Sequence, residues 1–307
     1  MALLIAAPHR ETDELARLMV ARMPNIDLRT WPEISRAEDI RFVLAWQAPR
    51  GLFAKLPGLQ AVSSLGAGVD SIISDPEIPS HLAIGRLAGP RLAANMAAYL
   101  ASMVIARWKD LPGFMRDQQR GRWNQWAPEH PPAIGLLGTG QMGQKAAEVF
   151  QSLEFPVHGY SHSGRGPDGV TMHHGDTGLA RIAAASDFLI NLLPLTAQTR
   201  DILNQDLFAN MRRGSVLINV GRGEQLIDAD LVKALAKGRP ACAVLDVFRQ
   251  EPLPPEHPFW AHPAISITPH CASITLTAEA AELAVESYRR VLAGLDPLGR
   301  VDRSRGY

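Results

Sequence analysis

The sequence predicts an α/β protein of two lobes, each built on a parallel sheet. Short apolar segments alternate with helical stretches along most of the chain, which is the pattern of βαβ units. In the second half these segments are continuously apolar, as strands are when helices cover both faces of a parallel sheet. The 307 residues, of which 46% are hydrophobic, are enough for two domains that each bury a core.

Elements of the first lobe follow from these apolar segments. Strands are predicted at Leu3–Ala6, Phe42–Ala45, Ala61–Leu65 and around Ala83–Ile84, with a helix at Glu11–Met23. Apolar residues at helical spacing then predict one long helix from Arg91 to Gln119 that joins the lobes, ended or kinked by Pro112.

The second lobe continues the alternation. Its predicted strands are Ala133–Leu137, Val157–Tyr160, Phe188–Asn191, Val216–Asn219, Ala243–Leu245 and Ile265–Ile267. Five prolines between Glu251 and Pro263 predict a loop, since proline denies a helix or a sheet its backbone N–H donors. A last helix is predicted at Thr277–Leu292.

Charge and cysteine content exclude several classes of protein. Lysine and arginine (31) balance aspartate and glutamate (31), which argues against a nucleic-acid partner. Two cysteines, Cys242 and Cys271, predict neither a disulfide framework nor a metal site. The longest apolar run, Ala93–Ala106, falls short of the ~20 residues that cross a bilayer, and Met1–Ala7 lacks the basic start of a signal peptide. We therefore expect a cytoplasmic protein without a membrane partner.

A glycine-rich turn in the second lobe predicts a dinucleotide site. Gly138, Gly140 and Gly143 match G-x-G-x-x-G, with Gln141 and Met142 between them, and they follow one strand and open a helical stretch at Gln144–Leu153. In that setting the first glycine permits the turn, the second admits a pyrophosphate, and the third lets helix pack on strand.

The end of the next strand favours NADP(H) over NAD(H). An acid there would bind the adenosine ribose hydroxyls of NAD, but the chain has Ser161, followed by His162 and Arg165. These donors suit a 2′-phosphate. The alternative is an ordinary solvated loop, and NAD(H) remains possible.

Three ionisable residues follow the carboxyl ends of predicted strands, where open α/β sheets bind ligands. Arg222 presents a guanidinium that forks onto a carboxylate, and His270 is suited to proton transfer near neutral pH. Glu251 would fix the histidine tautomer and favour its charged form. Taken singly, each also has an ordinary explanation: a solvated turn arginine, a loop acid and a surface histidine.

Taken together, these segments resemble the D-isomer-specific 2-hydroxyacid dehydrogenases. The similarity lies in Val220–Gly223, Leu245–Pro252 and Thr268–His270 behind the glycine-rich turn, with a glycine loop at Leu65–Asp70. The segments Asn191–Thr199 and Val301–Tyr307 are most similar to the glyoxylate/hydroxypyruvate reductase A branch. This resemblance implies two flavodoxin/Rossmann-like lobes, with the dinucleotide-binding lobe (99–276) inserted into a substrate lobe (1–98 and 277–307).

The resemblance also implies roles for individual residues. Arg222 would anchor the substrate, His270 would be the acid/base and Glu251 its partner. Cofactor contacts would fall on Leu193, Pro194, Val220 and Asp246, and substrate contacts on Trp46, Gly68 and Val69. The chain departs from the family at Met96–Tyr99, where relatives commonly carry an acid before the tyrosine.

These observations predict NADPH-dependent reduction of a small 2-keto acid, glyoxylate or hydroxypyruvate. The apolar helix from Arg91, followed by Trp123 and Trp126, together with the resemblance, predicts a homodimer. Two alternatives stay open: a dehydrogenase of the same family with another substrate, and a non-catalytic nucleotide-sensing protein.

Overall fold

The computed structural model describes residues 1–175 and 177–307. In these residues the chain forms twelve strands: β1 Ala2–Ala6, β2 Asp27–Thr30, β3 Ile40–Ala45, β4 Ala61–Ser64, β5 Ala83–Arg86, β6 Ile134–Leu137, β7 Val157–Tyr160, β8 Thr171–His173, β9 Phe188–Asn191, β10 Val216–Asn219, β11 Cys242–Leu245 and β12 Ile265–Ile267. The same residues form nine α-helices: α1 Asp13–Arg22, α2 Asp70–Ile73, α3 Pro90–Trp108, α4 Leu111–Gln119, α5 Gln141–Ser152, α6 Gly178–Ala185, α7 Gln205–Asn210, α8 Asp228–Ala236 and α9 Thr277–Leu292.

The chain divides into two units. The first unit comprises Met1–Leu92 and Ile274–Tyr307, and the second unit comprises Ala93–Ser273. One division falls within the first turn of α3 and the other just before α9. The sequence had placed them after residues 98 and 276. The first unit is thus built from both ends of the chain.

The first unit contains a five-stranded parallel sheet in the order β2-β1-β3-β4-β5. Every residue of β1 is buried, because successive side chains point to opposite faces and helices or loops cover both. Leu3 and Ile5 pack with Tyr288 of α9 on one face. Leu4 packs with Phe53 on the other. Continuous burial of this kind is why the strand reads as an apolar run.

The second unit contains a seven-stranded parallel sheet in the order β12-β11-β10-β9-β6-β7-β8. Leu136 of β6 packs with Phe150 of α5 on one face, and Leu137 packs with Phe208 of α7 on the other. Strand order reverses beside β6, since the chain runs outward to β8 and then returns to β9 on the opposite side. Such a switch point leaves a crevice at the carboxyl ends of the strands where ligands bind.

All the strands predicted from apolar runs are confirmed, and two further strands were missed. These are β2 and β8, which lie at the outer edges of the two sheets. Edge strands have one neighbour, so they are short and need no continuous apolar run. Accordingly β2 reads Asp-Leu-Arg-Thr and β8 only Thr-Met-His.

The helical stretch predicted over Arg91–Gln119, ended or kinked by Pro112, is divided into two helices, and the break falls just before Pro112. Helix α3 ends at Trp108 and α4 begins at Leu111, with Asp110 between them at a φ of 50°. The Asp110 carboxylate accepts a hydrogen bond from the backbone N–H of Gly113 at 3.1 Å, which caps α4. Pro112 therefore lies in the first turn of a new helix, where its missing N–H costs nothing.

Two smaller predictions also need correction. Helix α5 begins at Gln141, inside the glycine-rich turn, instead of at Gln144. The Pro-rich loop contains one short 3₁₀ turn at Pro258–Ala261. Across residues 1–175 and 177–307, no helix has both the length and the apolar character needed to cross a membrane.

Candidate active site

His270 and Glu251 are in direct contact in the second unit. Nδ1 of His270 lies 2.6 Å from Oε2 of Glu251, and the two side chains are 37% and 31% exposed. Glu251 lies in the loop after β11, and His270 in the loop after β12, the neighbouring parallel strand. A carboxylate on Nδ1 fixes the ring orientation and leaves Nε2 for a ligand. Both residues are thus accessible and correctly paired for proton transfer.

The backbone of His270 has a φ of 51°. A residue other than glycine is uncommon in this left-handed region, and such positions cluster at functional sites. The conformation is held by the backbone N–H of His270, which donates to the carbonyl oxygen of Asp246 at 2.8 Å. The histidine therefore stands on a fixed turn.

Asp246 holds that turn in place through hydrogen bonds to its buried carboxylate. Its side chain is 1% exposed. One carboxylate oxygen accepts from the hydroxyl of Thr268 at 2.6 Å and the N–H of Cys271 at 2.9 Å, and the other accepts from the N–H of Ala272 at 2.9 Å. The sequence offered Asp246 as a cofactor contact; in the structure its carboxylate binds the segment that carries His270.

Tyr99 of α3 extends the same network. Its hydroxyl lies 2.7 Å from the hydroxyl of Thr268. Burial is the main cause that raises the pKa of Tyr99 to about 12, and the negative charge of Asp246 adds to the effect. Tyr99 thus stays a neutral hydrogen-bonding group beside the His270 turn. Tyr99 follows Ala98, the position at which the resemblance led us to expect an acid.

The carboxyl of Glu251 is held in its ionised form. Partial burial alone would raise its pKa, but the hydrogen bond with His270, the N–H of Phe248 donating at 2.9 Å and the charge of Arg222 together lower the pKa of Glu251 below its ordinary value. A carboxylate that stays charged favours a protonated imidazole next to it.

Arg222 is positioned by a buried amide network that the sequence reasoning missed. Its backbone N–H donates to Oε1 of Gln225 at 2.8 Å, and that oxygen also accepts from Asn191 at 2.7 Å. Asn191 in turn donates to Oδ1 of Asn219 at 2.9 Å. The signal was present, because β9 and β10 both end in asparagine and these two residues are paired in register.

The three glycines of the turn have different surroundings. Gly138 has a φ of 103°, which only glycine adopts easily. A Cβ on Gly143 would come within 2.1 Å of the carbonyl oxygen of Gly138, so glycine is needed there for packing. Around Gly140, whose φ is −72°, a Cβ would have no neighbour within 4 Å. Nothing in the protein itself explains a glycine at position 140, and the space it leaves adjoins the amino end of α5, which begins with Gln141 and Met142.

The loop after β7 is folded around the carbonyl oxygen of Arg165. The hydroxyls of Ser161 and Thr139 donate to that oxygen at 2.7 and 3.0 Å. The side chains of His162 and Arg165 are exposed. On the other side of the switch point, the carbonyls of Leu193 and Pro194 accept from Gln225 at 3.2 and 3.1 Å, and the N–H of Val220 donates to Asn191 at 3.2 Å.

The remaining candidates belong to the first unit. Trp46 follows β3 and is partly buried, and Gly68 and Val69 lie in the loop between β4 and α2. Outside residue 176, no group of three or more histidine, cysteine, aspartate or glutamate side chains is arranged to hold a metal ion.

A parallel sheet with a glycine-rich turn at its switch point, together with a histidine–carboxylate pair, defines a dinucleotide-dependent oxidoreductase. The chain belongs to the D-isomer specific 2-hydroxyacid dehydrogenase family: residues 101–272 match the model of that family's NAD binding domain. The family expected from the sequence is confirmed.

Relatives of known name match over the full chain. Glyoxylate/hydroxypyruvate reductase A of Yersinia enterocolitica is 34% identical and that of Serratia proteamaculans 35% identical, each over 100% of both chains. A D-isomer specific 2-hydroxyacid dehydrogenase from Xanthobacter autotrophicus, solved with NADPH and MES, has a TM-score of 0.94 and 35% identity over 100% of this chain and 99% of that one. An NADPH-dependent glyoxylate/hydroxypyruvate reductase from Sinorhizobium meliloti, solved with NADP and sulfate, has a TM-score of 0.91 and 28% identity, with coverage of 100% and 99%.

Proposed function

We propose that this protein reduces a small 2-keto acid, glyoxylate or hydroxypyruvate, to the 2-hydroxy acid with NADPH. The observation that carries this proposal is the 2.6 Å contact between His270 and Glu251 on adjacent loops of the second unit. Relatives named glyoxylate/hydroxypyruvate reductase A, similar over the whole chain, support the same substrate class.

The second unit would hold the cofactor. Space at Gly140 that a Cβ would fill, next to the amino end of the twelve-residue helix α5, fits a pyrophosphate. Ser161 removes the acid that would repel a 2′-phosphate, and the exposed Arg165 and His162 supply donors for it. Two similar structures were solved with NADPH or NADP, which supports NADP(H) as the cofactor. We propose NAD(H) as the weaker alternative. Leu193, Pro194 and Val220 complete the proposed cofactor contacts.

When bound, the reduced nicotinamide would supply a hydride to the carbonyl carbon. Protonated His270 would give its proton to the carbonyl oxygen, so that the C=O bond becomes the C–OH of the hydroxy acid. Glu251 acts as a positioning residue, because its charge favours the protonated ring. Asp246 has a second positioning role, since it fixes the turn from Thr268 to Ala272.

Arg222 would bind the carboxylate and carbonyl of the substrate, as a guanidinium forks two hydrogen bonds in one plane. In the first unit, the backbone amides around Gly68 and Val69 would receive the substrate carboxylate, and Trp46 would border the pocket. Holding both reactants in one geometry is itself a large part of the rate gain.

We further propose a homodimer. Trp123 is 98% exposed, and Trp126 and Met115 of the same part of the second unit are also exposed. Large apolar side chains grouped on a surface mark an association site. A sedimentation mass of one 33.4 kDa chain at micromolar concentration would contradict the dimer.

NADPH absorbance, followed with a panel of 2-keto acids, tests the function. Turnover with glyoxylate or hydroxypyruvate supports the proposal. Turnover with an unrelated oxidisable substrate alone would indicate another dehydrogenase, and cofactor binding without turnover would indicate a nucleotide-sensing protein.

A further inference from the structure

Arg10 stacks on Trp46 within the first unit. The guanidinium carbon of Arg10 lies 3.8 Å from the centroid of the indole ring. Arg10 lies in the turn after β1, and Trp46 directly follows β3, which is the neighbouring parallel strand. The pair therefore stands at the carboxyl edge of the sheet, where open α/β sheets bind ligands.

Trp46 also contacts the glycine loop. Its ring lies 3.1 Å from the position that a Cβ would take on Gly66, a tight contact that favours glycine there. Gly66 begins the loop that continues to Gly68 and Val69, the residues proposed above to receive the substrate carboxylate. The indole thus contacts both that loop and the Arg10 guanidinium.

The charge of Arg10 is only partly compensated by the protein. Within the part of the chain that the structure describes, no carboxylate forms an ion pair with it, and partial burial lowers the pKa of Arg10. Stacking covers one face of the guanidinium and leaves the N–H groups at its edge, which bind a carboxylate in the plane. Arg10 is exposed, so these N–H groups are open to a ligand.

We propose that Arg10 is a specificity-determining residue that binds the distal carboxylate of a small dicarboxylic 2-keto acid. Trp46 orients the guanidinium and packs against the carbon chain between the two acidic groups. This assignment rests on the proposed function, in which the backbone amides around Gly68 and Val69 of the same unit receive the first carboxylate. Monocarboxylic 2-keto acids offer Arg10 no partner.

A matched pair of substrates isolates this interaction. Oxaloacetate and 2-oxobutyrate have the same number of carbon atoms and differ in the distal group, which is a carboxylate in one and a methyl in the other. The ratio of kcat/KM for oxaloacetate to kcat/KM for 2-oxobutyrate is measured with NADPH for the parent, Arg10→Gln, Arg10→Lys and Arg17→Gln. Arg17 is an exposed arginine of α1 and controls for loss of one positive charge.

We expect Arg10→Gln to lower this ratio at least about tenfold, mainly through KM, since a hydrogen-bonded charge at a distal group contributes binding. The ratio for Arg10→Lys should lie between those of the parent and Arg10→Gln, because lysine keeps the positive charge but lacks the planar guanidinium. Arg17→Gln should leave the ratio unchanged, and added salt should lower it in the parent.

The possible failures are distinguishable. If the parent reduces glyoxylate and the ratio is the same in Arg10→Gln as in the parent, the assignment of Arg10 is overturned while the proposed function stands. A fall of equal size in Arg17→Gln would also overturn it. If the parent reduces no 2-keto acid, the proposed function itself has failed.

Discussion

The hydroxyl of Tyr99 lies 2.7 Å from the hydroxyl of Thr268, two positions before His270. Thr268 donates its own proton to Asp246 at 2.6 Å, so a chain of hydrogen bonds runs from α3 to the turn of the candidate acid/base. Tyr99 is partly buried and has no charge at neutral pH, because burial raises its pKa to about 12. The network fixes the turn without placing a second ionised group beside it.

Tyr99→Phe should lower the free energy of unfolding at pH 7 by about 1 kcal/mol, the usual net value of a hydrogen bond. Because the pKa of Tyr99 is raised in the folded protein, its neutral hydroxyl contributes stability that is fully present below the ordinary tyrosine pKa near 10. This contribution is lost as the pH rises toward about 12. Denaturant unfolding at pH 7 and between pH 10 and 12 measures both effects. The parent should lose more stability than Tyr99→Phe in the alkaline range, whereas Tyr307→Phe, an exposed control, should match the parent.

His270 and Glu251 were found from the sequence because both follow strands of a parallel sheet, whose carboxyl ends meet at one edge. That these two residues lie close together follows from the strand order alone. The Tyr99–Thr268 contact was not accessible in this way, since it joins residues 169 positions apart and depends on how α3 packs. Asp246 was assigned a cofactor contact from the family resemblance, because a sequence shows a carboxylate but not which backbone N–H groups donate to it.

The hydrogen bonds of the buried amide side chains could not be predicted from the sequence either. Asn191 and Asn219 each end a predicted strand, but their hydrogen bond depends on the register of β9 with β10. The position of the break between α3 and α4 could not be predicted from the spacing of apolar residues, because that spacing does not show that Asp110 adopts a left-handed backbone. Buried strands are thus predictable from runs of apolar residues, whereas polar networks can be identified only when the three-dimensional neighbours of each side chain are known.

Glu251→Gln should lower kcat for glyoxylate, because the amide lacks the negative charge that faces Nδ1 of His270. The pKa of Glu251 is lowered in the folded protein, so its contribution to stability is present above the ordinary value near 4.5 and lost as the pH falls through the lowered pKa. The difference in unfolding free energy between the parent and Glu251→Gln should therefore shrink below about pH 4. Glu256→Gln, in the same loop, is the control. A difference in unfolding free energy that does not change with pH would contradict an ionised Glu251.

Gly140→Ala should leave the melting temperature unchanged, because the added Cβ meets no protein atom within 4 Å. We expect KM for NADPH to rise about tenfold or more, since the methyl group fills the space proposed for the pyrophosphate. Gly143→Ala is the opposite control: its Cβ would clash with the carbonyl of Gly138, and overpacking costs about 1–3 kcal/mol of stability. Unchanged NADPH kinetics in a stable Gly140→Ala protein would contradict this site.

Arg165→Ala should remove most of the preference for NADPH over NADH while barely changing kcat/KM for NADH. One charge-assisted hydrogen bond to the 2′-phosphate is worth about 1.5–3 kcal/mol, so the parent should favour NADPH at least about tenfold at low salt. Arg165 is exposed, so the preference should shrink as ionic strength rises. Equal efficiencies of the two cofactors in the parent would mean that the loop from Ser161 is an ordinary solvated turn.

The central claim is that His270 donates the proton to the substrate carbonyl, and replacing this residue tests it most directly. The measurement compares kcat for glyoxylate and the dissociation constant for NADPH in the parent, His270→Ala and the exposed control His81→Ala. We expect His270→Ala to bind NADPH about as tightly as the parent and to lose about 10²–10⁴ in kcat, the usual contribution of an acid/base group. A kcat near that of the parent, with NADPH still bound, would contradict the account.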